Sequence, residues 1–299
     1  MPDSPAMRVI SSTVGPCHQD FPILARIRES ILTQTGGIEA LQTKFPLLIR
    51  EAIDFVLDPV RTARTRMREL DNIEKTFVGL KIEHFVRDML DVPKGVRDLR
   101  IAGIDLDIKN TVRDTWMIPP ETFTGEEPCL LIASDEKTHK CWLGLIVARE
   151  SYLNAGNRDQ KRSVSASAFS NILWLIEAAP YPESRWKGLD MERFRELRKL
   201  HGGTSRAVAF FSENLRKPVH RIVIQSLLFD QHDYMKRLRV NGGARDILKR
   251  RGIALLSGLY DSVLIAELRL ARLDSEEMIA VAPIDETEAA LMRRKGVIV

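Results

Sequence analysis

The chain has 299 residues, 45 Lys and Arg against 41 Asp and Glu, and only 6% aromatics. That is enough for one large or two medium domains with a substantial core. No apolar run reaches the length of a membrane span, and the N-terminus lacks the basic-then-apolar order of a signal peptide, so a soluble, cytoplasmic protein without membrane contacts is expected. Cys17, Cys129 and Cys141 are odd in number and widely spaced, which fits reduced buried thiols better than disulfides or zinc. The six histidines show no metal-ligand spacing.

Residues 1 to about 20 hold Pro, Ser and Asp without periodicity and read as a loosely packed arm. Helical periodicity then covers 21–34, stopping at Gly36-Gly37, and 38–57, with an interruption expected near Pro46. Arg61, Arg64, Arg66 and Arg68 form a basic cluster that suits phosphate or a solvated face equally. Asp71-Asn72-Ile73-Glu74 has the form of a capping box, an N-cap side chain answered three residues later by Glu. Phe77, Val78, Ile82, Phe85, Val86, Met89 and Leu90 carry that helix on as an apolar stripe up to Pro93. Gly79 inside it costs about 1 kcal/mol relative to Ala, which points to close approach by another backbone or a ligand. Glu83 follows one turn later, at the border of the stripe.

Residues 96–109 alternate polar and apolar on both sides of Ala102-Gly103, the pattern of a β-hairpin. With the turn centred there, Ile101 faces Ile104, Arg100 faces Asp105, Leu99 faces Leu106 and Asp98 faces Asp107. Opposed residues lie roughly 4.5–5.5 Å apart, so the two carboxylates repel. Lys109, two residues beyond Asp107 on the same face, offsets that repulsion, while Leu99, Ile104, Leu106 and Ile108 face the core. Asp105 is expected in an ion pair with Arg100, and Asn110 has the opposite parity. Glu83, Asp98, Asp107 and Lys109 can then converge.

Such a set suits metal-assisted hydrolysis of a phosphodiester. Glu83, Asp98 and Asp107 are candidate hard oxygen ligands for Mg²⁺. Lys109 would position or deprotonate water and stabilise charge on the phosphorane. On the hairpin alone, a surface hairpin with ordinary ion pairs fits equally well.

Trp116-Met117-Ile118-Pro119-Pro120 is apolar and rigid. Residues 128–135 and 140–148 read as two strands apolar enough to be central in a mixed sheet, with Asp135 and Glu136 in the polar turn between them. Gly156 to Arg162 is a loop rich in donors, and Asn157, Arg158, Lys161 and Arg162 suit phosphates or base edges, as they would a plain solvated loop. A helix over 164–179 is expected to pack on the sheet through Phe169, Ile172, Leu173, Leu175 and Ile176.

Pro180-Tyr181-Pro182 stops that helix. A linker over 180–188 is expected to part an N-terminal domain, 1–179, from a C-terminal one, 189–299. The composition then turns basic, with 17 Lys and Arg against 7 Asp and Glu from Arg185 to Arg251, which suggests a phosphate-binding half. Helices are expected over 191–200, 205–215, 219–229, 233–238 and 243–252, then a strand pair, 253–256 with 263–268. That order suggests a helix-turn-helix with a β-wing. Arg245, Lys249 and Arg250 are candidate groove contacts, with Lys236, Arg237 and Arg239 just before them. A solvent-facing helix on a dimerisation domain is the alternative.

The spacing Glu83-x(14)-Asp98-x(8)-Asp107-x-Lys109 resembles the PD-(D/E)xK nuclease signature, with Arg97 where Pro would precede the first Asp. Residues 74–83, 103–109, 116–121 and 153–162 resemble, in that order, the NaeI-type restriction endonucleases, and the similarity extends over most of the chain. This resemblance implies an α/β (α+β) fold, a PD-(D/E)xK mixed sheet flanked by helices, followed by a winged-helix-like DNA-binding domain. It further implies a homodimer that engages two double-stranded DNA sites, one cut and one held as effector, and a cognate DNA methyltransferase acting on the same site in the host. The leading expectation is a Mg²⁺-dependent, sequence-specific type II endonuclease. A single-strand nicking repair endonuclease of the same fold and a non-catalytic winged-helix regulator are the alternatives.

Overall fold

A computed structural model describes residues 11–299, and the first ten residues of the expected N-terminal arm lie outside the described residues. In chain order the helices are α1 (Phe21–Thr35), α2 (Ile38–Leu57), α3 (Pro59–Thr62), α4 (Asn72–Leu90), α5 (Pro120–Thr124), α6 (Met191–Lys199), α7 (Gly203–Glu213), α8 (Arg221–Leu227), α9 (Ala244–Arg250), α10 (Ser262–Glu267) and α11 (Glu286–Arg294). The strands are β1 (Leu99–Ile101), β2 (Ile104–Thr111), β3 (Met117–Ile118), β4 (Pro128–Asp135), β5 (Lys140–Val147), β6 (Leu153–Gly156), β7 (Arg162–Val164), β8 (Leu173–Pro180), β9 (Val219–His220), β10 (Ala254–Ser257) and β11 (Glu277–Val281). No helix of the described residues is long and apolar enough to cross a membrane.

The chain divides into two units, one running to Leu57 and from Arg66 to Glu183, the other comprising Asp58–Thr65 and Ser184–Val299. Sequence reading keeps residues 58–65 with the N-terminal domain. In the structure α3 instead packs on α8, with the Ser226 hydroxyl donating to the Pro59 carbonyl at 2.6 Å and Arg198 Nη2 donating to the Arg61 carbonyl at 3.0 Å.

The first unit is built on a five-stranded sheet in the order β1-β2-β4-β5-β8, with β2 and β4 parallel and the other pairs antiparallel. Side chains alternate across it. Leu106, Ile108, Leu130 and Ile132 face one core with Ile27, Ile49 and Val78 from the helices, while Cys129 and Leu131 face another with Trp116, Trp142 and Phe169. A smaller sheet, β3-β7-β6, belongs to the second of these layers.

α2 runs through Pro46 without a break. The burial of Phe45, Leu48 and Ile49 around it outweighs the roughly 3 kcal/mol that an interior proline costs. α4 starts on the expected capping box: Asp71 accepts the Glu74 N–H at 2.8 Å and Glu74 accepts the Asp71 N–H at 3.0 Å. Its buried stripe is Val78, Ile82, Val86 and Leu90, which leaves Phe77 52% exposed.

The expected helix over 164–179 is absent. Residues 166–171 make only a 3-10 turn capped by Ser165, and β8 follows as a strand antiparallel to β5. A short apolar run does not distinguish a buried strand from a helix. Here the free edge of β5 decides, because pairing satisfies its backbone groups. β8 crosses closely at Gly144, where an added Cβ would meet the Ile172 side chain at 2.5 Å. Of the cysteines, Cys129 and Cys141 are buried free thiols as expected, whereas Cys17 is exposed.

The second unit contains an antiparallel sheet, β10-β11-β9. The expected strand over 263–268 is the helix α10, and the partner of β10 is β11, with Leu255 opposite Ala280. β11 lies in the middle of the sheet and is buried along Met278–Val281, so its apolar residues can take a partner on either side. Residues 263–268, with Ala266 and Glu267, keep a helical preference.

The buried guanidinium of Arg206 ties this unit together. It donates to the Leu227 carbonyl at 3.2 Å and to both oxygens of Asp230 at 2.5 and 2.7 Å. Asp230→Ala would leave that cation without its counter-charge, at a cost of about 3 kcal/mol. A urea titration of the full chain should show the transition of the second unit moved to lower concentration, with that of the first unit in place.

Candidate active site

β1 and β2 form the hairpin in the expected register: Leu99 opposite Leu106, Arg100 opposite Asp105, Ile101 opposite Ile104. The turn places Ala102 and Gly103 at positive φ, 51° and 79°, the geometry that twists a tight hairpin correctly. At Asp98 the pairing slips by one residue, since its N–H donates to the Leu106 carbonyl at 3.2 Å. β1 ends there, leaving the edge of β2 open, and Asp98 Oδ2 accepts the Ile108 N–H at 2.8 Å. The slip leaves the two acids close enough to perturb one another's ionisation.

Asp107 is 6% exposed. Its Oδ1 accepts Lys109 Nζ at 2.7 Å and its Oδ2 accepts the Thr122 hydroxyl at 2.7 Å. Burial alone would raise its pKa, but the hydrogen bonds from the Asp98 carboxyl, Lys109 and Thr122 outweigh that and hold Asp107 below the usual range. Asp98 moves the other way, pushed up by burial and by the hydrogen bond it shares with Asp107. Two like charges this close disfavour each other, and the two carboxyls are pushed in opposite directions.

Glu83 is half-buried on α4. Burial, then the field of Asp98 and of Asp107, push its pKa up to about 7 against the opposing field of Lys109. The four side chains singled out in the sequence therefore lie in one electrostatic neighbourhood. Gly79, one turn earlier on α4, faces the Asn110 amide: an added Cβ would lie 3.4 Å from its Nδ2. The glycine thus admits a neighbouring side chain.

Asp105 does not form the expected ion pair with Arg100. Its Oδ1 accepts the Val96 N–H at 2.8 Å, and an added Cβ at Gly95 would lie 1.9 Å from that oxygen. Arg97, at the position where the signature has Pro, donates Nε and Nη2 to the Glu127 carboxylate at 2.7 and 2.9 Å, bracing the approach to Asp98. Thr122 escapes sequence reading altogether. It is buried on α5, 15 residues beyond Asp107, and a threonine after two prolines carries no local signal of that contact. Asp135 and Glu136 serve the turn between β4 and β5, Asp135 accepting the Lys137 N–H at 2.9 Å and Glu136 accepting the Met67 N–H at 2.8 Å.

Among the described residues no three His, Cys, Asp or Glu side chains are set together so as to hold an ion unaided. The donor set nevertheless fits Mg²⁺, which keeps several waters and commonly takes only one or two carboxylates from a protein. Asp98 and Asp107 would supply those two; burial raises Glu83 and Asp98 first, and the repulsion among the carboxyls that adds to it is what a dication would relieve.

The donor-rich segment from Asn157 to Arg162 is the tip of the β6–β7 hairpin. Asn157 shapes it, its Oδ1 accepting the Asp159 and Lys161 N–H groups at 3.0 Å. Arg158 and Lys161 project into solvent. Arg162 lies within β7, stacked 4.7 Å from the Phe123 ring centre. In the second unit Lys236 and Arg250 are exposed, Lys249 is half-buried and Arg237 donates to Gln231 at 2.7 Å. Arg245 is drawn inward, 3.9 Å from Asp261.

Comparison with known proteins adds to this geometry. The family described as "Restriction endonuclease NaeI" matches residues 42–290. The Type II restriction enzyme NaeI of Lentzea aerocolonigenes is 27% identical over 220 residues, covering 70% of this chain and 68% of that protein.

Proposed function

The chain belongs to the NaeI restriction endonuclease family and is a type II site-specific deoxyribonuclease acting on double-stranded DNA, and on that premise we propose that Glu83, Asp98, Asp107 and Lys109 cut the phosphodiester with Mg²⁺. The observation that carries this is the Asp107 carboxyl, buried and held from both oxygens by Lys109 and Thr122. Asp107 and Asp98 would hold the ion, with Glu83 joining once it gives up its proton. Bound Mg²⁺ supplies Lewis-acid polarisation of the phosphoryl group and a more acidic attacking water. Lys109, anchored on Asp107, orients that water and offsets the negative charge that gathers on the phosphorane.

The second unit is read as a winged-helix-like module that holds a further DNA duplex. In support, its elements run α7, β9, α8, α9, β10, α10, β11 with β11 between β10 and β9, helices and a three-stranded sheet in an order compatible with that class, and residues 185–251 are strongly basic. Lys249 and Arg250 on α9, with Lys236 and Arg237 before it, are the proposed contacts there, with Arg245 bracing α9. Arg158, Lys161 and Arg162 serve the duplex that is cut, on a turn shaped by Asn157.

A homodimer would place one active site on each strand of a palindromic site. Its support is the set of apolar side chains exposed on α2 and α4: Leu47, Phe55, Ile73, Phe77 and Leu80 are 43–70% exposed. A partner methyltransferase protecting the same site in the host belongs to the same reading.

Incubating the purified protein with unmethylated plasmids, with Mg²⁺ or with EDTA, tests the proposal. Discrete linear fragments that need Mg²⁺ are expected. Nicked circles alone would turn the reading to a single-strand nickase, and intact plasmid with a salt-sensitive gel shift to a DNA-binding regulator.

A further inference from the structure

The turn that follows β10 presents Leu259 and Tyr260 to solvent, 55% and 80% exposed. Burying an aromatic ring is favourable, so a rigidly exposed one calls for a partner. This turn is rigid. Ser257 N–H donates to Asp261 Oδ2 at 2.7 Å, Asp261 N–H to the Ser257 carbonyl at 2.9 Å, and Gly258 N–H to the Glu277 carbonyl at 2.9 Å. Gly258 is required for it, because an added Cβ would lie 2.1 Å from the Asp274 carbonyl oxygen.

Tyr260 and Leu259 border an open cleft of about 590 Å³ into which Arg221, Arg239 and Arg245 face together with Glu276 and Glu277. Arg221 is paired with Glu276 at 2.6 Å, whereas Arg239 stands 3.9 Å from Asp233 with two thirds of its side chain exposed, so it is the cation most open to a partner. Asp261, which pins the turn, lies 3.9 Å from Arg245, so the first turn of α9 and the aromatic tip share one brace. A preorganised aromatic and aliphatic pair standing among guanidinium groups matches the chemistry of a DNA base step, apolar between the bases and anionic along the backbone.

We propose that Tyr260, backed by Leu259, is a wedge that enters between two base pairs of the duplex held by the second unit, unstacking that step and bending the DNA. The proposal rests on reading the second unit as duplex-binding. The ring stacks on an opened base while Arg239 meets an adjoining phosphate. Ring area rather than the phenol hydroxyl carries the effect, so Trp serves in its place.

The test uses the full chain in an Asp107→Asn background, so that DNA is bound and not cut, with duplexes carrying the site mapped from plasmid cleavage and 2-aminopurine at successive steps. The parent protein should raise 2-aminopurine fluorescence at one step and retard permuted fragments as bent DNA. Tyr260→Ala should abolish both and weaken binding about tenfold, within the range for loss of one stacked base. Tyr260→Trp should keep both signals. If Tyr260→Ala binds and unstacks like its parent, the wedge is overturned. A Lys249→Ala, Arg250→Ala double variant separates the two layers. If the parent binds a single duplex per chain and the double variant binds it as tightly, the duplex-binding reading of the second unit fails and the wedge with it.

Discussion

Asp107→Asn and Lys109→Ala should each reduce plasmid cleavage by about a thousandfold or more while a gel shift shows DNA binding retained. Removing a single preorganised charge-stabilising group typically costs 10²–10³ in rate, and here each change also strips the partner it holds. Asn keeps the shape of Asp107 but not the charge that attracts Lys109 and a dication. Ala at 109 leaves Asp107 Oδ1 without the Nζ now 2.7 Å away. Thr122→Val gives a graded version. It removes one hydrogen bond to Asp107 Oδ2, and loss of a group that only orients a ligand costs about 10–100-fold, expressed in kcat with KM unchanged. Undiminished cutting by the Asp107 or Lys109 variant would dismiss the assignment of the site.

Glu83→Gln should abolish or severely reduce cleavage and, in EDTA, make the protein more resistant to heat as the pH rises. The ordinary pKa of this carboxyl is 4.5, and in the folded chain it is pushed up to about 7 by burial and by Asp98 and Asp107. Between those values the folded state binds more protons than the unfolded one, so stability falls as pH rises. The contribution of Glu83 is fully present below about pH 4.5 and lost as the pH passes 7. A neutral Gln has no such dependence. Melting temperatures of the two proteins, measured from pH 5 to 8 without divalent ions, should therefore diverge in favour of the variant. Parallel curves would show that Glu83 titrates normally. Cleavage by the unaltered protein should fall as the pH is lowered and recover with added Mg²⁺, because proton and dication compete for Glu83.

Much of the site was legible because it is written in local patterns. The capping box of α4, the alternation across Ala102-Gly103 and the apolar strands β4 and β5 each depend on residues a few positions apart. Backbone geometry turns such spacing into a helix start, a register or a buried strand without help from the rest of the chain. The register brought Asp98 opposite Asp107 on paper. The single-residue slip at Asp98 was open in the sequence, and the strand end plus the Ile108 N–H settled it. The pairing of Asp105 failed for a related reason: a backbone N–H nine residues away competed for the carboxylate, and charge pattern alone does not reveal such a competitor.

By itself the sequence carried the register of the hairpin, the expectation that Glu83, Asp98, Asp107 and Lys109 converge, and the basic run from Arg185 to Arg251. All of these follow from composition and short-range periodicity. Only the tertiary structure decided that residues 173–180 are a strand, that β11 rather than 263–268 partners β10, that residues 58–65 join the second unit, and that Thr122 holds Asp107. In each case the segment has no decisive preference of its own. Its state is chosen by an unpaired strand edge, an exposed apolar face or a buried carboxylate oxygen that another part of the chain leaves to be satisfied.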